Sequence, residues 1–501
     1  MHPVDVTIIV GYLILVPIIG VLLAGKQRTS KDFFVSDRNM PSWAVCFAIV
    51  ATETSTLTVI STPTVAYLGS FTFLQIAIGY LLGRIVVAFV LLPRYYEGEL
   101  VTAYAYLGKR FGPGVQGTAS ATFLVTRLLA DGVRLFATAI PVKVMLSAAG
   151  FDVAFWQIIL VITIITVLYT YLGGTRAVVW VDAFQMVLYV AGGLIAVYLL
   201  AGRLPGDWFE TAINEGKFQL FDFSGSVLTE PYAFITAVVG GAMLSMASHG
   251  ADQLIVQRLL ATRTLRASRT ALIGSGVLVF FQFGLFLLIG TMLWSFYNGV
   301  APKEMGMATN DDLFPTFIVT EMPPGIAGLL IAGILAAAMS SSLNSLATST
   351  VTDIYQRLTT RVLDDAAVLR QAKIWVLIWG VALFAFASMF TDTENPVIEL
   401  GLSVTGYTYG ALLGAFFLGL LVKRARQSDG VIAFVVTVAV MGVVILGVTF
   451  PDGEGGQASL AFPWYTPVGV VVTLLVGGLL SLRHRRPVAP PEQPVVEEEP
   501  A

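Results

Sequence analysis

The chain has 501 residues, of which 56% are hydrophobic and only 12% are charged. A soluble protein carries roughly a quarter charged residues, so this composition excludes an ordinary soluble domain and indicates a membrane protein. The net charge of -3 gives no sign of a nucleic-acid partner, and the single cysteine, Cys46, excludes an internal disulfide.

Thirteen apolar blocks approach the roughly 20 residues that a helix needs to cross a bilayer. We interpret the first as a mature span rather than a signal peptide, because no basic segment precedes it and it exceeds the usual apolar core of a leader. In chain order the predicted spans lie at about 5–25, 41–69, 72–96, 115–147, 153–172, 177–202, 231–256, 270–296, 323–350, 372–390, 396–422, 430–449 and 464–482.

The loops between these spans differ in charge. Outside the spans, almost all Lys and Arg residues lie in alternate loops, and only Arg203, Lys217 and Lys303 lie in the others. Because basic loops stay in the cytoplasm, the sequence predicts a multi-pass cell-membrane protein with its N-terminus outside and its C-terminus in the cytoplasm. The longest outer loops, 203–230 and 297–322, are acidic and could form short lids.

Residues 1–486 are predicted to form one transmembrane transporter domain. The tail at 487–501 is rich in Pro and Glu and has little to bury, which predicts a disordered cytoplasmic segment. We therefore expect no soluble domain in this chain.

Polar residues are expensive inside lipid and are usually functional there. In the second span, residues 52–63 combine a run of hydroxyl side chains with Glu53 and a proline. This pattern predicts a helix broken at mid-membrane, with free carbonyls facing a cavity. The ninth span contains three consecutive serines at 340–342, and the sixth places Asp182 and Gln185 one turn apart on one face.

These groups suit sodium, a hard cation that prefers oxygen ligands such as backbone carbonyls and hydroxyls. Close helix packing is the alternative interpretation, since serine runs in spans also serve that purpose. Asp182 lies near the inner end of its span and could instead pair with Arg176 at the interface.

Several further charged residues lie inside predicted spans. Arg127 and Asp131 are four residues apart and are predicted to pair on one helix face. Arg134 lies one turn beyond Asp131 and either shares it or faces the cavity. His249 and Asp252, near the inner end of the seventh span, fit a structural role as well as a ligand role.

Five stretches of the sequence follow the order typical of one transporter family. The two most specific are YLGGTRAVVWVDAFQ at 171–185 and GADQLIVQRLLATRTLRASR at 250–269, and the others lie at 32–67, 314–355 and 401–421. On these stretches the chain resembles the sodium:solute symporter family. The resemblance implies an all-α, LeuT-type fold of 13 transmembrane helices, with five-helix inverted repeats at about 41–202 and 231–422.

The family's conserved sodium site uses carbonyls of the first core helix together with a carbonyl and hydroxyls of the eighth. The resemblance implies that these ligands are Ala51, Thr54, Ala337, Ser340 and Ser341. The last three share one helix face, because they are spaced by three and four residues.

Some family members bind a second sodium lower down, which the resemblance would place at Asp182 and Ser342. The serine run is shorter here than in the family pattern, so two alignments compete. One anchors Ser340 and Ser341 at the main site, whereas the other places Ser341 and Ser342 in the lower site.

For the solute, the resemblance implies contacts from the central core helices, at Glu53, Ser55, Thr58, Gln75 and Arg134. An arginine in the cavity suits a carboxylate, which it binds through two parallel hydrogen bonds. Glu53 favours a hydroxylated or cationic solute instead, or it neutralises Arg134.

The predicted function is sodium-coupled symport of a small organic solute into the cell by alternating access. The solute classes are a sugar, a carboxylate, an amino acid or a vitamin-like compound, with sodium as the co-transported ion and the lipid bilayer as the surroundings. One alternative is a proton-coupled carrier that uses Glu53 or Asp182, and another is a transporter-like membrane sensor. An enzyme is not predicted, because the sequence shows no nucleophile–base pair or metal constellation.

Overall fold

A computed structural model describes residues 2–24, 38–97, 100, 102–148, 150–338, 342–359, 364–390, 397–451 and 456–484. The fold is almost entirely helical. The α-helices are α1 (Pro3–Ala24), α2 (Ser42–Glu53), α3 (Thr56–Leu68), α4 (Leu74–Val90), α5 (Leu92–Tyr96), α6 (Ala103–Phe111), α7 (Pro113–Ala148), α8 (Phe155–Ala201), α9 (Trp208–Asn214), α10 (Phe234–Gly250), α11 (Gln253–Leu260), α12 (Leu265–Phe296), α13 (Leu313–Glu321), α14 (Ile326–Ala338), α15 (Ser342–Ser349), α16 (Gln356–Leu358), α17 (Asp365–Ala387), α18 (Val397–Leu421), α19 (Gln427–Gly447) and α20 (Tyr465–Ser481).

The remaining regular structure is short. Two three-residue strands, β1 (Thr449–Pro451) and β2 (Gln457–Ser459), pair in antiparallel fashion between α19 and α20. A π-helical turn at Thr350–Tyr355 follows α15. Three-residue 3₁₀ helices lie at Phe71–Phe73, Asn310–Asp312 and Phe462–Trp464.

Many of the helices are built to cross a membrane. Within the described residues, eight helical segments are long and apolar enough, or up to ten if each of two bent helix pairs counts as one span. Shorter apolar stretches lie at Pro3–Tyr12 and Ile326–Leu335. The predicted polytopic helical fold is therefore confirmed, although the exact count of thirteen spans is not.

One predicted loop is helical in the structure, although the two apolar spans that flank it are both found. We expected a break between residues 172 and 177, but helical backbone runs without interruption through α8, which covers both the fifth and the sixth predicted spans. No proline lies within α8, and a pair of glycines lowers helix propensity without stopping a helix.

The surface of the helical assembly is apolar. Large side chains such as Leu22, Phe281 and Val443 are 74%, 67% and 67% exposed, while Arg84 and Asp182 are buried inside. Such a distribution is unfavourable in water and is expected where helices face acyl chains.

The second predicted span is broken, as its hydroxyl-rich sequence indicated. α2 and α3 meet at an angle of 57°, and the two residues between them are non-helical: Thr54 has φ -79° and ψ 66°, and Ser55 has φ -77° and ψ 179°. Local hydroxyls compete for the backbone here, since Thr58 Oγ1 donates to the carbonyl of Glu53 at 3.1 Å.

A second broken helix was not predicted from the sequence. α10 and α11 meet at 59°, with Ala251 and Asp252 between them. The Asp252 side chain accepts from the backbone N–H of Leu254 at 2.8 Å, which caps α11. Each of the two predicted repeats therefore opens with a bent helix pair.

Close helix packing surrounds both breaks. α10 lies along α4, and a Cβ added to Gly79 would fall 2.4 Å from the carbonyl oxygen of Val238. α12 crosses both halves of the first broken helix, where a Cβ added to Gly290 would fall 2.1 Å from the carbonyl oxygen of Pro63. Only glycine permits backbone contacts this close, so both breaks lie against tightly packed neighbours.

Both acidic loops contain short helices: α9 lies in 203–230, and Asn310–Asp312 with α13 lies in 297–322. Asp311 is buried and ties the second loop to the membrane helices. Its Oδ2 accepts from Ser61 Oγ at 2.9 Å and from the backbone N–H of Val397 at 2.7 Å. The tail at 487–501 lies outside the described residues, so its disorder stays a prediction.

Candidate functional site

A cavity lies between the two helix breaks. Its walls come from both broken helices and from α4, α7, α12 and α18. Its polar lining includes Glu53, Ser55, Thr58, Arg134, His249 and Asp252. Ser55, a non-helical residue of the first break, thus lines a polar part of the interior.

The first break leaves two carbonyls without their usual helical partners. In a regular helix the Ala51 carbonyl accepts from Ser55 N–H and the Thr54 carbonyl from Thr58 N–H. Here Thr58 N–H donates to Ser55 at 2.9 Å, and the described residues show no hydrogen bond from Ser55 N–H to Ala51. Both carbonyls belong to residues predicted as sodium ligands. The side chain of Thr54 faces away from this role, because its Oγ1 donates to Gln282 Oε1 at 2.6 Å.

The predicted ligands on the other helix are only partly described. Ala337 lies near the end of α14. Thr56 Oγ1 at the first break donates to the carbonyl of Ile334 at 3.0 Å, which brings the break within one turn of Ala337. Ser340 and Ser341 lie outside the described residues, so their predicted role is untested.

The two residues predicted for a second sodium have different surroundings. The carboxylate of Asp182 is buried and accepts from Arg258 Nη2 at 2.7 Å, so its described partner is Arg258 of the second broken helix. Ser342 instead lines a small cavity that it shares with Asp131 and Arg134.

Glu53, at the first break, belongs to a buried charged cluster. Its Oε2 accepts from the guanidinium of Arg84 and lies 3.6 Å from His249 Nε2. Arg84 Nη1 also donates to Ser275 Oγ at 2.8 Å. Glu53 therefore neutralises Arg84 rather than Arg134, and its predicted contact with a solute stays a prediction.

The second break has a matching ion pair. Arg127 Nη2 lies 3.0 Å from Asp252 Oδ2, and the hydroxyl of Tyr409 donates to the same oxygen at 2.6 Å. The predicted pair of Arg127 with Asp131 exists but is longer, at 3.6 Å. Asp131 lies at the same distance, 3.6 Å, from Arg134 Nη1.

Within the described part of the chain, Arg134 forms only a long ion pair, with Asp131, and its hydrogen-bond donors are not all used. Its Nε and Nη1 make no hydrogen bond to any described residue, since 3.6 Å exceeds the normal length of an N–H···O bond. The side chain lines the cavity and is 16% exposed there. A guanidinium with unused donors can bind a negatively charged ligand through charge-assisted hydrogen bonds.

The other residues predicted to contact the solute divide into two groups. Ser55 and Thr58 line the cavity. Gln75 is absent from the described lining, and its Nε2 donates to the carbonyls of Thr72 and Tyr232 at 3.1 and 2.8 Å. These hydrogen bonds of the Gln75 side chain connect the start of α4 to the segment before α10.

Sequence reasoning missed the partners of the charged residues at the breaks. His249 and Asp252 were left between a structural and a ligand role, and no partner was assigned to either. The available signal was the number of charged residues inside the predicted spans, because each buried charge must be paired with an opposite one.

Comparison with known proteins agrees with this geometry. Residues 33–436 match the sequence profile of the sodium:solute symporter family. The chain is similar to the human sodium/iodide cotransporter, with 30% identity over 92% of this chain and 72% of that protein. It is also similar to the sodium/sialic acid symporter SiaT of Proteus mirabilis, with 27% identity over 95% of each chain.

A solved structure extends the similarity to the fold. A Na⁺-coupled sialic acid symporter in a substrate-bound, outward-open state superposes with a TM-score of 0.83 and 26% identity, over 98% of this chain and 99% of that one. The LeuT-like fold, the coupling to sodium and the symport of a solute, all predicted from the sequence, are confirmed. The chain is a multi-pass membrane protein and belongs to the sodium:solute symporter family.

Proposed function

We propose that this symporter carries a small organic carboxylate, driven by sodium, into the cell by alternating access. The observation that carries the proposal is Arg134, which lines the cavity without a hydrogen-bond partner on Nε or Nη1. A carboxylate fits this group, because the planar guanidinium binds it through two charge-assisted hydrogen bonds. Iodide and sialic acid, the solutes of the similar proteins, are both anions at neutral pH.

For the ion, we propose a main sodium site formed by Ala51, Thr54, Ala337, Ser340 and Ser341. Support comes from the carbonyls of Ala51 and Thr54, which lack their helical donors at the break. Carbonyl oxygens released in this way are suitable sodium ligands near the middle of a membrane.

A second sodium at Asp182 and Ser342 has less support. Arg258 donates to the Asp182 carboxylate at 2.7 Å, and a guanidinium in that position competes with a cation for the same oxygen. Asp182 Oδ1 makes no hydrogen bond to a described residue, but the positive charge of Arg258 beside the carboxylate opposes a sodium ion there.

A proton-coupled carrier was the main alternative. Glu53 and Asp182 were its candidate proton sites, and both carboxylates are paired with buried arginines. A proton taken up at either carboxylate would leave a buried arginine without its counter-charge, which is costly. This observation favours sodium as the driving ion over a proton taken up at either residue.

The proposal is tested by a thermal-stability screen of the purified protein, followed by uptake into liposomes. The screen compares sugars, amino acids, carboxylates and vitamins, each in sodium and in potassium. We expect stabilisation by a carboxylate that requires sodium, since ligands stabilise the state that binds them. Uptake of that carboxylate should then require an inward sodium gradient.

Two variants separate the solute site from the ion site. Arg134→Gln should weaken carboxylate binding about tenfold or more, because a charged hydrogen bond contributes roughly 1.5–3 kcal/mol. Ser341→Ala should raise the sodium concentration needed while solute selectivity stays unchanged. Arg203→Gln, which breaks a half-exposed pair with Glu321, is the matched control. Stabilisation by a neutral sugar alone, or equal uptake in potassium, would contradict the proposal.

A further inference from the structure

Glu53, Arg84 and His249 form a cluster at one part of the cavity wall, which we call the acceptor cluster. Arg84 is fully buried and is absent from the described cavity lining, whereas Glu53 and His249 line the cavity. The guanidinium of Arg84 is held between Glu53 Oε2 and Ser275 Oγ. Arg84 therefore fixes the position and the charge of Glu53 without contacting the contents of the cavity.

The hydrogen bonds of His249 determine which ring nitrogen carries the proton. Nδ1 lies 3.2 Å from the carbonyl oxygen of Ser245, which can only accept. It also lies 2.7 Å from Ser248 Oγ, whose own hydroxyl donates to that carbonyl at 3.3 Å. The Ser248 hydroxyl can donate or accept, but the Ser245 carbonyl can only accept, so the neutral tautomer that fits this contact carries its proton on Nδ1 and leaves Nε2 as an acceptor.

The cluster therefore presents acceptors and no donor to the cavity. His249 Nε2 has no hydrogen-bond partner among the described residues, and it lies 3.6 Å from Glu53 Oε2, another acceptor. The described contacts of Glu53 all involve Oε2, which leaves Oε1 available. Two acceptors cannot bond to each other, but a hydroxyl or N–H group of a solute can donate to either.

We propose that the acceptor cluster selects, among carboxylates, those that also carry a hydrogen-bond donor such as a hydroxyl group. This inference rests on the proposed function, in which Arg134 binds the carboxylate. A purely apolar solute would leave the buried acceptors unpaired, which costs more than the bond itself contributes. A second anionic group would be repelled by Glu53.

The test compares matched solutes that differ only in hydroxyl groups: lactate with propionate, and gluconate with hexanoate. Dissociation constants are measured by thermal stabilisation of the full-length protein in sodium. In at least one pair we expect the hydroxylated carboxylate to bind about tenfold more tightly, since one charged hydrogen bond contributes roughly 1.5 kcal/mol or more. Equal binding within both pairs would overturn the inference.

Variants show whether the cluster causes the preference. His249→Phe removes Nε2 and leaves the pair of Glu53 and Arg84 in place, so the preference for the hydroxylated solute should fall at least threefold. The double variant Glu53→Gln/Arg84→Gln removes both charges together, which avoids an unpaired buried charge, and should lower the preference in the same direction. Arg203→Gln, which lies outside the cavity lining, should leave it unchanged.

The outcomes distinguish this inference from the proposed function. If no carboxylate stabilises the protein in sodium, both the proposed function and the acceptor cluster fail. If carboxylates bind but the preference survives in His249→Phe and in the double variant, only the acceptor cluster is wrong. Arg134→Gln should weaken both members of each pair equally, because it removes the contact that they share.

Discussion

At the scale of single residues, the site is defined by how its charges are paired. Each helix break carries one acidic side chain, and each is paired with an arginine from a neighbouring helix: Glu53 with Arg84 and Asp252 with Arg127. Removing one member of a buried pair typically costs about 3–5 kcal/mol. The same ion pairs therefore stabilise the helix breaks and set the charge of the cavity wall.

A single hydrogen bond should also hold the proposed sodium ligands at the first break. Thr54 Oγ1 donates to the buried Gln282 Oε1 at 2.6 Å, which fixes the residue whose carbonyl we assign to sodium. Thr54→Val keeps the shape but removes the donor, so we expect a loss of about 1–3 kcal/mol in the free energy of unfolding and weaker stabilisation by sodium. Sodium titrations of the thermal midpoint measure both effects.

The matched variants make this prediction specific to the hydroxyl. Thr54→Ser retains the donor and should behave like the natural protein. Thr320→Val removes only a hydroxyl bonded within an exposed helix turn and should change neither quantity. A normal sodium response in Thr54→Val would show that the hydroxyl does not hold the break.

The sequence could reveal polar residues here but not their partners. Arg127 and Asp131 were paired correctly because helical spacing brings them together, yet the shorter contact of Arg127 is with Asp252, on another helix. Asp182 was assigned either to a sodium ion or to Arg176, a near neighbour in sequence, whereas its described partner is Arg258, on another helix. Local periodicity predicts contacts within one helix, whereas tertiary pairing depends on how helices pack.

At the scale of helices, the loop that contains Asp311 connects to the core. Its carboxylate accepts from Ser61 on α3 and from the first residue of α18, Val397, and Thr64 Oγ1 donates to the neighbouring carbonyl of Asn310 at 3.3 Å. One buried side chain thus links the loop, the broken helix and α18. A change in the charge of Asp311 should be felt by all three.

This link should make stability depend on pH. Burial raises the pKa of Asp311 from 3.8 to about 6, against the hydrogen bonds from Val397 and Ser61, which lower it. Between these two values the folded state holds a proton that the unfolded state has lost, so stability falls as the pH rises from about 4 to 6. Asp311→Asn cannot titrate and should flatten this part of the profile.

The measurement is the thermal midpoint of both proteins at a series of pH values. A difference of about 3 kcal/mol across the window is expected, because each pKa unit corresponds to about 1.4 kcal/mol. Asp207→Asn changes an exposed carboxylate and should keep the natural profile. Parallel profiles for Asp311→Asn and the natural protein would mean that the buried carboxylate does not titrate in this range.

Some features of the helices could be predicted from the sequence and others could not. The first break could be read from its hydroxyls and Pro63, because these side chains compete with a regular helix. The second break has no such run, and only Asp252, an N-cap residue at its centre, pointed to it. In α8, by contrast, helix formers on both sides of a glycine pair keep the backbone helical.

At the scale of the whole molecule, apolar surface and loop charge both bear on how the protein is oriented in the membrane. Exposed apolar side chains such as Phe281 and Val443 mark the lipid-facing surface, but they do not tell one side of the membrane from the other. The distribution of Lys and Arg among the loops does. The sequence could therefore predict which side of the membrane each loop faces, whereas the helical geometry alone does not distinguish the two sides.

Sidedness gives the last prediction. Thirteen predicted spans would put the termini on opposite sides of the membrane, and the basic loops predict a cytoplasmic C-terminus. In a Cys46→Ser background, His2→Cys and Glu304→Cys should react with a membrane-impermeant maleimide in intact cells. Arg266→Cys and Ala501→Cys should react only after the cells are permeabilised. Labelling of His2→Cys and Ala501→Cys from the same side would require an even number of spans, and labelling of Arg266→Cys from outside would invert the orientation.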